Sequence, residues 1–93
     1  MKLPAAYDKL SPDEKSSIAK EYTIAQEGLC CHCGEFLDDP PRGDVQEKPV
    51  NAKLFPPDFF VWPVHLHHNH ETGMTIGVVH AYCNAVLWQF HGK

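Results

Sequence analysis

Apolar positions along this chain change their rhythm twice. Between Ser11 and Glu27, Ile18, Tyr22 and Ala25 recur at helical spacing with charged residues between them. The run opens on Ser11-Pro12-Asp13-Glu14. That order gives a hydroxyl cap, proline at the first helical position and glutamate three residues after the cap, the pattern of a capping box. Acidic residues there also suit the positive end of the helix dipole, and Gly28 supplies a stop. A scaffold helix is expected over 11–27. From 35 to 63 the periodicity disappears. Pro40, Pro41, Pro49, Pro56, Pro57 and Pro63 remove backbone donors and fix φ, so neither a helix nor a central strand is expected. Phe55, Phe59, Phe60 and Trp62 should fold this segment over the core by packing rather than leave it a free linker. From Val64 the pattern changes again. Val64 to His68 reads as a short strand, Asn69 to Gly73 as its turn, and Thr75 to Val79 as a β-branched return strand. Ala81 to His91 contains neither glycine nor proline, and Ala85, Leu87 and Trp88 are spaced for a last helix ending at Gly92. The expected fold class is α+β: an N-terminal helix, an irregular proline-rich insertion, then a β-hairpin followed by a helix over 64–91.

Composition tightens this picture. Ninety-three residues make one domain, 1–93, with a core small enough to need help. Four cysteines and seven histidines are many potential ligands for that length. No apolar run is long enough to span a bilayer, and the N-terminus lacks the apolar stretch of a secretory signal, so a soluble, cytoplasmic protein is expected. Thiols stay reduced there, and clustered cysteines mean metal more often than disulfide. The formal net charge of −4 argues against a general nucleic-acid coat protein. It leaves room for an enzyme on nucleic acid whose bound cation supplies local positive charge.

Cys30-x2-Cys33 and His80-x2-Cys83 provide two pairs of ligands that suit tetrahedral zinc. The first pair lies in the tight turn 28–34 after the helix, the second at the strand-to-helix junction. Closing the long loop between them is where a metal clip gains most over the unfolded chain. Cys31 is the spare thiol, because a Cys31-x-Cys33 pair has poorer geometry.

His65, His67, His68 and His70 crowd six positions of the hairpin. Four imidazoles at one edge point to metal binding or acid–base chemistry for at least one of them. The run Leu66-His67-His68-Asn69-His70-Glu71-Thr72-Gly73, then Gly77-Val78-Val79-His80-Ala81-Tyr82-Cys83-Asn84, resembles the phage recombination endonuclease VII family, a branch of the HNH or His-Me finger nucleases. Ala25-Gln26-Glu27-Gly28-Leu29-Cys30 resembles that family's lead into its first cysteine pair. The matching parts cover Ala25 to Cys33 and Leu66 to Asn84, in the family's order and ligand spacing.

The resemblance implies a zinc-stapled ββα-metal domain that cuts DNA. His68 would be the general base, His67 and Asn84 would hold a catalytic divalent ion, and His70 would lie at the same site. Magnesium is the ion implied, because it keeps several waters and needs few protein ligands. The departures are specific. His67 stands where the family has aspartate, which shifts preference toward softer ions such as manganese, nickel or zinc. Ile76 replaces an arginine, His80 a cysteine, and Leu87 stands where a glutamate is often found. The sequence ends at Lys93 without the long helices by which the family dimerises, so a monomer or weak dimer is expected. The setting implied is the cytoplasm of a bacterial or phage-infected cell.

In an ideal strand His67 and His68 point to opposite faces, so both can serve one site only if the strand bulges or ends there. His91 shares a helix face with Asn84 but lies too far along the axis to bind the same ion. The expected function is therefore a metal-dependent DNA endonuclease that nicks or cuts simple DNA. The alternative is a zinc-stapled binding module that has lost catalysis and contacts a protein partner, favoured by the acidic charge and the lost aspartate and arginine. A zinc knuckle that binds nucleic acid without chemistry is disfavoured by the total of eight lysines and arginines.

Overall fold

The computed structural model describes residues 3–91. Helix α1 spans Pro12–Ala25, and its capping box closes as predicted. The Glu14 amide donates to Ser11 Oγ at 3.2 Å, and the Ser11 amide donates to the Glu14 carboxylate at 3.0 Å. Such a cap is worth about 1 kcal/mol. The helix ends two residues before the predicted 27. Glu27 and Gly28 then take φ of 56° and 77°, a left-handed reversal that turns the chain back into the cysteine knuckle. Ile18 on its inner face is fully buried, and the Tyr22 hydroxyl meets Thr75 Oγ1 at 2.8 Å.

The segment 35–63 is less irregular than its prolines imply. A single helical turn, α2, occupies Gly43–Gln46, and a 3-10 turn occupies Ala52–Leu54. Between Pro41 and Pro49 the chain keeps its amide donors for long enough to close one turn, and that turn buries Val45 in the core. The segment is tied to the final helix by polar bonds. Gln89 donates to the Pro49 carbonyl at 3.0 Å and accepts from the Asn51 amide at 2.9 Å, and the Tyr82 hydroxyl donates to the Lys48 carbonyl. Phe55 and Phe59 pack, with ring centroids 4.6 Å apart. Trp62 departs from the packing expectation and stays 69% exposed.

Strands β1 (Val64–His68) and β2 (Thr75–His80) form an antiparallel hairpin, and α3 (Ala81–His91) follows with no intervening loop. The return strand runs one residue beyond its predicted end. In the turn, Asn69 Oδ1 accepts from the amides of Glu71 and Thr72, and Gly73 adopts φ 74°. The register shifts between His67 and His68: His67 pairs with Gly77 and His68 with Thr75, so Ile76 is left without a partner. A bulge is thus present at this level, but its extra residue is on β2 rather than on the strand that bears the histidines.

The outer edge of β2 is covered by side chains and turns. Gln26 Oε1 accepts from the Val78 amide at 2.9 Å, and Gln26 Nε2 donates to the Val78 carbonyl at 3.0 Å and to the Leu29 carbonyl at 2.7 Å. The Cys31 amide adds a bond to the same Val78 carbonyl. Farther along, the Thr75 amide bonds the Ala5 carbonyl and the Tyr7 amide the Gly73 carbonyl, which lays the N-terminal arm across the end of the hairpin. The core is small and contains Cys30, Cys33 and Cys83 beside Leu37, Val45, Val78, Val79 and Val86. Among the described residues, no helix is long and apolar enough to cross a membrane.

Gly77 is where this arrangement admits least change. A Cβ there would stand 2.5 Å from Gln26 Oε1 and 3.2 Å from Cys31 Sγ. Gly77→Ala should therefore lower stability by about 2 kcal/mol, from overpacking and the disrupted Gln26 bonds. Gly43→Ala, which meets nothing within 4 Å, should stay within about 0.5 kcal/mol of wild type. Urea unfolding of both variants at saturating zinc measures the difference.

Candidate metal centre and histidine groove

Cys30 and Cys33 sit in the knuckle that follows α1. His80 is the last residue of β2 and Cys83 lies in the first turn of α3, so three elements converge on one point. All four side chains are buried, and their donor atoms lie within 4.8 Å of one another. His80 Nδ1 is 3.4 Å from Cys33 Sγ and 3.6 Å from Cys83 Sγ. Ligands about 2.3 Å (sulfur) and about 2.1 Å (nitrogen) from a tetrahedral zinc are themselves roughly 3.6 Å apart, so the cluster has the dimensions of such a site. The imidazole tautomer is fixed from behind. Nε2–H faces the Phe36 and Asp39 carbonyls at 2.9 and 2.8 Å, which leaves the Nδ1 lone pair toward the sulfurs. Cys30, Cys33, His80 and Cys83 thus form a Cys3His group that can hold a structural metal such as zinc.

The thiols are already polarised for this role. The Cys30 thiol is pushed down to about 3, mainly by a hydrogen bond from the Cys83 thiol, with backbone bonds at Cys33, His80 and His32 adding to it against the cost of burial. Cys83 is driven up by that same bond and by burial. These are two ends of one shared proton, so the group holds a thiolate and surrenders further protons when a cation enters. Cys31 stays outside the cluster, exposed, with its thiol raised by burial of its base and by the neighbouring Cys30 charge.

The hairpin histidines separate into two sets. His65 is an internal fixture: its Nε2–H donates to the Phe59 carbonyl at 2.8 Å, which leaves Nδ1 to accept from Asn84 Nδ2 at 3.1 Å. Asn84 Oδ1 is therefore the atom not committed to His65. His67 is buried on the same side, beside Asn84. Burial lowers its pKa, the nearby His68 and His70 lower it further, and a hydrogen bond with Asn84 opposes them. His67 also borders a shallow pocket of about 230 Å³ with Cys31, His32, Ile76 and Leu87.

His68 lies beyond the bulge. Its ring stacks on Tyr7 at 3.9 Å with an interplanar angle of 11°, and exposed His70 leans against it at 4.9 Å. Its pKa is lowered by burial first and by His70 next, with Asp8 opposing and Lys15 reinforcing the shift, so the neutral imidazole is favoured. His68 and Asn84 both line a groove of about 420 Å³ along the free edge of β1. The structure therefore brings His68, His70 and Tyr7 together on one side of β1, and His67, His65 and Asn84 on the other, with the groove reaching both sets. The side chain of His91 lies outside the described residues.

Sequence reasoning did not find Tyr7 or the fixing role of His65. Tyr7 stands alone ahead of α1, outside any periodic run. His65 carried a usable signal: it precedes His67 by two positions, so a strand places both on one face.

The metal group makes definite predictions. The purified chain should bind one zinc or cobalt ion, with cobalt giving thiolate charge-transfer absorption. Cys83→Ser should abolish that spectrum and Cys31→Ser should leave it unchanged. One thiol, Cys31, should react with a disulfide reagent in the metal-loaded protein, and four after chelation. Affinity should fall as pH falls, because the raised Cys83 thiol must lose its proton to bind. Comparison of the chain with known protein families, with curated proteins and with solved structures gives no match, so the functional reading rests on these residues themselves.

Proposed function

We propose that this chain is a divalent-ion-dependent endonuclease that hydrolyses phosphodiester bonds in DNA, with zinc in the Cys30, Cys33, His80 and Cys83 group as its structural staple. The observation that carries this reading is His68. It is an imidazole biased toward its neutral form, stacked on Tyr7 in the lining of a groove to which Asn84 also contributes. A base poised in this way takes the proton of an attacking water, and such groups contribute about 10²–10⁴-fold to a rate. Exposed His70 beside it is placed to contact a phosphate oxygen.

His67 and Asn84 would hold the catalytic cation, which would supply neutralisation of phosphate charge when bound. His65 supports this by accepting from Asn84 Nδ2, since that bond turns the amide oxygen rather than the nitrogen toward His67 and a cation held there. An imidazole and an amide are neutral ligands, and this donor set suits manganese or nickel better than magnesium. Asn84 lies beside His67 and also lines the groove with His68, and so would link the cation to the base.

One observation favours the second reading, a binding module without catalysis. Among the described residues no carboxylate, lysine or arginine lines the groove, and the chain carries a net charge of −4. Such a module would contact a protein partner through exposed rings such as Trp62.

Nicking of supercoiled plasmid with magnesium, manganese and nickel in turn separates the two. Wild type should nick, and His68→Ala should lose about 100-fold or more while keeping its zinc and its unfolding midpoint. Asn84→Ala should show the same loss, partly restored by raising the ion concentration. Folded, zinc-loaded wild type that nicks with none of these ions would overturn the nuclease and leave the binding module.

A further inference from the structure

The groove beside His68 is unusual for a surface that handles nucleic acid, because the described residues that line it are rings rather than lysine, arginine or carboxylates. Tyr7, Phe59, Trp62, His65 and His68 contribute five planar side chains to its wall, with Asn84, Val64 and Leu66 completing it. Duplex binders draw most of their affinity from lysine and arginine on the phosphates. Single strands are held differently, by stacking of unpaired bases on aromatic faces, which every base permits. A volume of about 420 Å³ falls in the range of small-molecule sites and accommodates a nucleotide, whereas a duplex is far too wide for it.

Trp62 is the ring with a free face. It is 69% exposed at the end of the proline-rich segment, next to Pro63, which fixes the chain direction as it enters β1. Phe59, by contrast, is engaged edge-on with His65 at 4.5 Å and with Phe60 at 4.9 Å. Tyr7 is covered by His68. An exposed indole in the lining of a ring-rich groove offers an apolar face that a flat partner would remove from water.

We propose that this groove receives an unpaired nucleobase stacked on Trp62, so that the chain engages single-stranded or locally unpaired nucleic acid in preference to intact duplex. The inference names a substrate class for the nuclease proposed above and rests on that reading for its chemistry; the binding itself can be measured without cleavage. A base seated on Trp62 places the adjoining backbone along β1, where His68 and Asn84 stand. The neutral wall costs little affinity for such a ligand, because stacking rather than charge supplies it, at about 1–3 kcal/mol per base.

The test uses zinc-loaded full-length protein with no other divalent ion added. In Trp88→Phe protein Trp62 is the sole tryptophan. Its fluorescence should be quenched by a twelve-residue oligothymidylate, and a duplex of the same length should bind at least 10-fold more weakly. With a labelled oligothymidylate, Trp62→Ala should weaken binding about 10-fold or more, and Trp62→Phe should restore most of it. Equal affinity for single strand and duplex, or single-strand binding indifferent to Trp62→Ala, would overturn the inference even if plasmid nicking succeeds. Failure to bind any nucleic acid would overturn it as well and assign the groove to a protein partner. Selective, Trp62-dependent binding by a protein that nicks with no ion would sustain the inference while removing the nuclease.

Discussion

The convergence of three thiols and one imidazole at the β2–α3 junction is the constraint on which the rest of the molecule depends. A two-stranded hairpin is marginal in water, and an eleven-residue helix is no better alone. Here they are joined to α1 through a knuckle whose donors meet residues 47 positions later in sequence. Closing a loop of that length costs chain entropy that a small core does not readily supply, and a metal held there would offset it. The placement has a functional corollary. His80 ends β2 and Asn84 follows Cys83 directly, so the same clamp that joins strand to helix sets the helix's first turn against β1.

The proline-rich segment is organised around that clamp and has no core of its own. Its carbonyls at Phe36 and Asp39 hold the His80 ring, and Arg42 Nη1 donates to the Cys33 carbonyl at 3.1 Å. Gln89 and Tyr82 then fasten its far end to α3. Polar bonds to backbone atoms therefore do here what a hydrophobic stripe does for an amphipathic helix. They also bring Trp62 to the rim of the groove, so the least regular part of the chain supplies a wall of the most chemically distinctive surface.

Much of the fold was legible because its cues are local. The capping box, the two ligand pairs, the turn at Asn69 to Gly73 and the absence of breakers in α3 each act within a few residues, and each appears at its predicted place. The helical turn α2 was hidden by the prolines around it. The N-terminal arm was hidden for another reason: Ala5 and Tyr7 bond to residues about seventy positions away, and no short window records that. At the candidate site the sequence named the four hairpin imidazoles and the opposite faces of His67 and His68, but not the partners each one meets. The alternation of β1 accounts for the division between those faces, whereas the unpaired Ile76, a bulge in β2, leaves no mark in the hydrophobic pattern. Asn84 was visible as a donor, whereas the bond from its amide to His65 that orients it needs the folded hairpin.

Gln26 carries a consequence beyond covering an edge. By bonding both the amide and the carbonyl of Val78, it behaves as one residue of an absent third strand and locks β2 to the end of α1. Hairpins with a short strand are prone to slide by one residue, and such a slide turns every side chain to the other face. In this hairpin the slide would exchange His68 for His67 and bring a different imidazole to the groove. An uncharged glutamine beyond the outer edge of the hairpin thus fixes the strand against which the register of His67 and His68 is set.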